Sequence, residues 1–216
     1  MPPAPQYLRV MWPLPEPAPL VSVIVPTRDR ATLLAACADG VLNRTAYKAI
    51  EFLVVDNGSE EAETAALFER LTRDPRVRII AAPGPFNYSA LNNRAAGEAR
   101  GEVLLLLNND IEVMEPGWLH EMVTQAIRPE IGAVGAKLFY ADDTLQHGGV
   151  VIGTGGVAGH YALRAEALDS GPMGSLALVR QVSAVTAACL AIRATTFREV
   201  GGLDEQNLPV AFNDVD

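Results

Sequence analysis

Along residues 20–110, unbroken apolar runs take turns with mixed segments, and the spacing within each indicates the element it forms. "LVSVIV", "IEFLVV", "VRII" and "EVLLLL" are short and continuous, the pattern of strands buried on both faces, although periodicity alone leaves a buried helix open for so short a run. Between them lie "RATLLAACADGVLN", "EAETAALFERLTR" and "SALNNRAAGEAR", which carry helical patterns. Strand and helix in this repeated order predict right-handed crossovers and a doubly wound α/β fold, a mostly parallel sheet with helices on both faces. Beyond about residue 130 the order loosens into "IGAVGAKLFY", the glycine-rich "HGGVVIGTGGVAGH" and a helix-like "RATTFREVGGLDE", and irregular stretches of this kind often carry specificity. Ahead of the first strand, the first twenty residues hold seven prolines. That is too many for a helix or a central strand, so residues 1–20 read as an extended arm, partly docked by its aromatic side chains.

The polar residues arrive abruptly. Leu104–Leu107 is followed at once by Asn108, Asn109 and Asp110; "VSVIV" gives way to Pro26, Thr27 and Arg28; "IEFLVV" gives way to Asp56, Asn57 and Gly58. In a parallel sheet these three strand ends share one edge, and that edge is where open α/β sheets bind ligands. Each alone is an ordinary turn former or helix cap. Together they line a crevice with turns, amides and two carboxylates, the arrangement expected for a nucleotide held at base and ribose with a cation on its phosphates.

Composition narrows the field. With 216 residues, 49% of them hydrophobic, the chain suits one well-cored domain over residues 21–216. Seventeen basic against 26 acidic residues give a net charge of −9, which repels phosphate backbones and argues against nucleic acid as a partner. No apolar stretch reaches the roughly 18 residues of a membrane span, and the N-terminus lacks the basic-then-apolar order of a signal peptide, so the reading is soluble and cytoplasmic. Cys37 and Cys189 stand alone among alanines and leucines and read as reduced, buried thiols.

"VSVIVPTRDR", "FLVVDNGSEE", "ALNNRAAGEARGEVLLLLNNDIEV" and "GGLDEQNLPVAFNDVD", in this order from Val21 to the last residue, resemble the successive motifs of family 2 glycosyltransferases. The flavour is that of bacterial O-antigen or surface-polysaccharide transferases, often rhamnosyl-type. The resemblance implies a GT-A nucleotide-diphospho-sugar transferase fold and transfer of a sugar from a nucleotide-diphosphate donor to a glycan or lipid-linked acceptor, with inversion. It places the enzyme in the cytoplasm, peripheral to the inner membrane at most. Asp56 matches the aspartate that contacts the nucleoside, and Pro26, Thr27 and Arg28 match the loop against the base, with Arg28 standing where many relatives have an aromatic residue. A planar guanidinium can stack there. "NND" matches the D-x-D motif: Asp110 falls on the metal-binding carboxylate, and Asn108, with Asn109 beside it, replaces the first aspartate by an amide that can still reach ribose or a metal-bound water. The implied cofactor is a divalent ion, Mg²⁺ or Mn²⁺, on a site weakened by the missing charge. "FNDVD" aligns Asp214 with the general base, Asp216 being its nearest rival, while Asn213 replaces a glutamate. Relatives continue through a helix and a strand to a metal-binding histidine, so the resemblance also implies a domain truncated at its C-terminus.

Other features invite other readings. "GTGGVA", residues 153–158, fits a dinucleotide fingerprint but lacks the acid-terminated strand that should follow. His147 and His160, which flank it, read as polar loop residues, with metal ligation or contact with an acceptor sugar as alternatives. The acids of "EEAETAALFER" read as a solvated helix face. A nucleotidyltransferase shares the sheet and the metal carboxylate, yet "PTRDRATLL" lacks that class's glycine-rich phosphate loop. A nucleotide-binding module without turnover also stays open, because asparagine stands at two positions where acids are usual.

Overall fold

The computed structural model describes Tyr7, Leu8 and residues 10–215. Four parallel strands, β1 (Val21–Thr27), β2 (Ile50–Asp56), β3 (Val77–Ala81) and β4 (Val103–Leu107), alternate with helices α1 (Ala31–Asp39), α2 (Ala62–Leu71) and α3 (Tyr88–Glu98). Helix α4 (Trp118–Ala126) and a run of short strands follow: β5 (Ala133–Gly135), β6 (Leu138–Phe139), β7 (Leu145–His147), β8 (Val150–Ile152) and β9 (Ala158–His160). Strand β10 (Cys189–Arg193) and helix α5 (Ala194–Glu199) come last. The main sheet runs β3-β2-β1-β4-β10-β5. The predicted doubly wound α/β fold is present, with one feature the sequence pattern did not signal: β10 is antiparallel to both of its neighbours.

The four leucines of β4 show why its run is unbroken. Leu105 and Leu107 pack with Val23, Leu34, Leu119 and Val123 on one face; Leu104 and Leu106 pack with Ile24, Leu53, Leu91 and Phe197 on the other. A strand covered by helices on both sides has no face to give to polar residues. Each buried leucine contributes about 2 kcal/mol, and together they anchor the polar triplet that follows.

Helix α5 is shorter than the predicted segment 193–205. It stops at Glu199 because Gly201 and Gly202 adopt φ of 87° and 79°, a left-handed turn that glycine enters freely. A Cβ at Gly202 would also meet the side-chain oxygen of Asn93 at 2.6 Å, so the turn is pressed against α3. Ahead of β1 the described chain is irregular and is held on the domain: Leu14 packs against the core, the Tyr47 hydroxyl donates to Pro19 O, and the Arg128 guanidinium lies 4.2 Å above the Trp12 ring. No helix among the described residues is long and apolar enough to cross a membrane.

Candidate functional site

The register of the parallel strands brings the predicted residues to one edge. Thr27 pairs with Asp56 across β1 and β2, whereas β4 pairs with β1 only as far as Ile24 opposite Leu106. Pro26 and Thr27 therefore project beyond the β4 ladder, and the chain after Leu107 turns in the space this leaves. Asn109 closes the gap by donating its side-chain N–H to the Thr27 hydroxyl at 2.9 Å. Pro26 and Thr27 are buried, Asn108 and Asn109 half-buried, and Asp110 exposed.

Asp56 holds a turn and keeps acceptor capacity. Its Oδ1 accepts the Ser59 N–H at 2.8 Å, while Oδ2 has no hydrogen bond among the described residues. Next to it, buried Asn57 donates to Ala82 O and Gly84 O, fixing the loop after β3 against the loop after β2. Arg28 is exposed and lies 3.7 Å from the still more exposed Glu60, a pairing worth little in water.

The shape of the 27–30 loop rests on Asp29, which the sequence reading did not single out. Asp29 and Arg30 both have left-handed backbones, φ 55° and 58°, and the Asp29 Oδ1 accepts the N–H groups of Glu60 and Glu61 at the start of α2. Its partners lie some thirty residues away, so no local pattern could have disclosed them.

The other wall comes from the second half of the chain. Because β10 runs antiparallel, its lead-in, Thr186–Ala188, lies at the carboxyl edge of the parallel strands. There the Asn108 N–H donates to Ala188 O at 3.0 Å. One residue earlier, the Ala187 N–H donates to Asp214 Oδ2 at 3.0 Å, and the Tyr88 hydroxyl donates to Ala187 O at 2.9 Å. Burial raises the Tyr88 phenol above its ordinary pKa, so it stays a neutral donor. Asp214 thus stands two residues of backbone away from Asn108, although 106 positions separate them in sequence. Asp216 lies outside the described residues.

Helix α3 holds the segment that delivers Asp214. Asn93 exchanges two hydrogen bonds with the Leu203 backbone, Ser89 Oγ donates to Leu208 O, and Asn87 caps the helix through the Ala90 N–H while donating to Glu205 O. Polar residues that look like a weakly amphipathic helix in the sequence are a clamp.

The remaining candidates separate clearly. Cys37 and Cys189 are buried and free, as predicted, and burial pushes both thiols up to about 12, so neither is a thiolate at neutral pH. "GTGGVA" forms the tip of the β8–β9 hairpin rather than a strand-to-helix turn, which removes the dinucleotide reading. His147 and His160 are not loop residues but members of β7 and β9, with ring Nδ1 atoms 3.0 Å apart and His147 fully buried. Alternation with buried Leu145 was the signal that His147 points inward. Among the described residues no three His, Cys, Asp or Glu side chains form a metal-binding group.

Comparison with known proteins identifies the fold and the family. The family model for glycosyl transferase family 2 matches residues 22–199. The chain is 51% identical over 215 residues to the uncharacterized protein y4gI of Sinorhizobium fredii, covering 99% of this chain and 24% of that protein. It is 47% identical over 205 residues to the O-antigen biosynthesis protein RfbC of Myxococcus xanthus, covering 94% of this chain and 16% of the relative. It therefore spans a quarter or less of either relative. Mannosyltransferase PcManGT from Pyrobaculum calidifontis, solved with GDP-Man and Mn²⁺, superposes with a TM-score of 0.66 at 19% identity, over 96% of this chain and 54% of that one. GalNAc-T7, solved with UDP, GalNAc and Mn²⁺, superposes with a TM-score of 0.70 at 15% identity, over 93% and 40% of the two chains. These likenesses establish the GT-A fold, and the match over residues 22–199 establishes that the chain belongs to glycosyl transferase family 2.

Proposed function

We propose that this chain carries the donor-binding and catalytic groups of an inverting, metal-assisted glycosyltransferase acting in cell-surface polysaccharide synthesis. The observation that carries the reading is the convergence at one sheet edge of Thr27, Asp56, Asn108, Asn109 and Asp110 with Asp214. Family membership, the relative named for O-antigen biosynthesis, and two neighbours solved with sugar-nucleotide ligands and Mn²⁺ support it.

In this reading Asp56 accepts hydrogen bonds from the nucleoside, and Pro26, Thr27 and Arg28 lie along the base. A hard divalent cation would be held by the exposed carboxylate of Asp110, which follows the amides of Asn108 and Asn109 in the chain, together with the donor's own diphosphate oxygens. Such an ion stabilises negative charge on the leaving diphosphate. Asp214, held by the Ala187 N–H through one oxygen, takes the proton from an acceptor hydroxyl as that oxygen bonds to the anomeric carbon. The carbon–phosphate oxygen bond breaks on the opposite side, so the configuration inverts. The acceptor is a glycan or a lipid-linked sugar.

A panel of UDP-, GDP- and dTDP-hexoses tests this, with melting temperature and nucleoside diphosphate release measured with and without Mn²⁺. A donor that binds raises the melting temperature by mass action. We expect an Mn²⁺-dependent rise in the parent that Asp110→Asn abolishes, together with diphosphate release. Binding without release identifies a nucleotide-sugar-binding module, a reading favoured by the amides at 108 and 213. Pyrophosphate release from a nucleoside triphosphate and a sugar phosphate identifies a nucleotidyltransferase, and no binding at all sinks the proposal.

A further inference from the structure

The backbone that holds Asp214 is itself held from behind. Thr186, Ala187 and Ala188 precede β10, and the two alanines offer no polar side chain to fix themselves. Each residue is held by a group from elsewhere: the Ala188 carbonyl by Asn108, the Ala187 carbonyl by Tyr88, and the Thr186 N–H by Nε2 of His147 at 3.4 Å. The very next N–H in the chain is the one that Asp214 accepts.

His147 is built in for this contact. Its ring is 1% exposed, and Gly135 of β5 lies so close that an added Cβ would meet Val185 at 2.6 Å and the ring Nε2 at 3.3 Å. A backbone N–H can only donate, so Nε2 must be the bare, accepting nitrogen, and the neutral ring carries its proton on Nδ1. That proton points at Nδ1 of His160, 3.0 Å away, which accepts it; His160 keeps its own proton on Nε2. Burial, reinforced by His160 and opposed by Asp214, lowers the His147 pKa to about 4 and so keeps the ring neutral, while the Thr186 N–H selects the tautomer. A line of contacts therefore runs from the exposed hairpin β8–β9, through two imidazoles and the backbone on either side of Thr186, to the carboxylate.

We propose that His147 is a positioning residue for Asp214, acting through the two peptide units that flank Thr186, and that its pairing with His160 ties this backbone to the glycine-rich hairpin. The inference rests on the general-base reading of Asp214. The mechanical consequence is specific: losing the ring frees the peptide, the peptide releases the carboxylate, and turnover falls while the donor side, built from β1, β2 and β4, is untouched. Misplacement of a catalytic group by about 1 Å can cost on the order of 10²-fold in rate.

Two measurements on the 216-residue chain test it. In the first, ¹⁵N spectra near neutral pH report the His147 tautomer, and amide exchange reports Thr186 and Ala187 against Leu106 as an internal control. We expect a protonated Nδ1 and a bare Nε2, and faster exchange at 186 and 187 in His147→Leu than in His147→Gln, whose amide oxygen can still accept the N–H. A protonated Nε2, or unchanged exchange in His147→Leu, overturns the proposal without any activity assay. In the second, diphosphate release is followed with whichever of UDP-, GDP- or dTDP-hexose the parent turns over. His147→Leu should lower kcat about tenfold with donor KM unchanged, His147→Gln should recover most of it, and exposed His160→Ala, which leaves the core intact, should cost about threefold. In the Asp214→Asn background, His147→Leu should cost nothing further. A second loss there overturns this inference alone, whereas full rate in Asp214→Asn by itself overturns the general-base reading and this one with it.

Discussion

Residues 21–110 and residues 130–215 build opposite walls of one site by different means. In the first, each functional residue follows directly from a buried strand, so its place is set by the register of a parallel sheet: Thr27 lies beside Asp56 because Val25 lies beside Val54. In the second, Asp214 follows no strand; it is placed by Ala187, which an antiparallel strand brings round, and by the polar side chains of Ser89 and Asn93 on α3 and of Asn87, which caps it. The first wall is as rigid as the sheet. The second depends on a few hydrogen bonds: those from the α3 region span more than a hundred residues, and the one from Ala187 to Asp214 spans 27. Donor-side groups should therefore tolerate damage to the far wall, whereas turnover should be sensitive to it.

The largest effect expected from this contrast is Asp214→Asn. The amide oxygen can still accept the Ala187 N–H, so the segment keeps its place and only the basic oxygen is lost. Removal of a general base typically costs about 10²–10⁴ in rate, and we expect at least 10²-fold in kcat with donor affinity and melting temperature close to the parent. If instead the residue only caps a following turn, kinetics will show little change and unfolding about 1 kcal/mol of loss.

Next in size is a pH dependence of stability that belongs to the second wall alone. His147 is neutral in the folded chain down to about 4, against an ordinary 6.5, because burial and His160 disfavour its charge. Unfolded chains bind a proton near 6.5 and folded ones only near 4, so in between the unfolded state holds more protons. Stability is then full above the upper value and falls as pH drops through the window, by up to about 3 kcal/mol. Urea unfolding between pH 7 and 5 should show the slope in the parent and its absence in His147→Leu; an equal slope in both would place the proton uptake elsewhere.

How much was legible follows the same division. The strands, the α/β class and the shared edge of residues 26–28, 56 and 108–110 could be read because an apolar run that ends abruptly carries its own register. The direction of β10 could not, because "AACLAIR" reads the same for a parallel or an antiparallel strand and only β4 and β5 decide it. Asp29 and Tyr88 were missed, and the contact His147 makes was not foreseen, for a related reason: each acts on a partner at least 30 positions away, and although alternation with Leu145 turns His147 inward, nothing in the sequence names its partner. The position of Asp214 was available through family resemblance, but the peptide that holds it was not.

On the first wall, substitution can part the turn that Asp56 holds from the nucleoside contact proposed for it. Asp56→Asn keeps an oxygen for the Ser59 N–H and removes the charge, whereas Asp56→Ala removes both. Nucleoside diphosphate affinity measured by calorimetry should fall by about 2 kcal/mol in Asp56→Ala, the usual cost of losing a hydrogen bond to a charged group, with a smaller loss in Asp56→Asn. Turnover at saturating donor should stay near the parent value in both. Unchanged affinity in Asp56→Ala would leave the carboxylate with the turn as its whole purpose.

The smallest effect, and the sharpest for the comparison, is Asn93→Ala. Asn93 sits on α3 outside the crevice and touches only the returning segment, accepting from the Leu203 N–H at 2.9 Å and donating to the Leu203 carbonyl at 2.8 Å. Removing it leaves two backbone groups to water at a half-buried place, a loss of about 1 kcal/mol in unfolding free energy. Because the segment runs on from Leu203 to Asp214, loosening it should also lower kcat by about threefold while donor affinity stays unchanged. Were the two walls one rigid body, the same substitution would disturb donor binding and turnover alike. Equal losses in affinity and rate would therefore contradict the division drawn here, and a fall in rate alone would show that the Asn93 contact serves the far wall only.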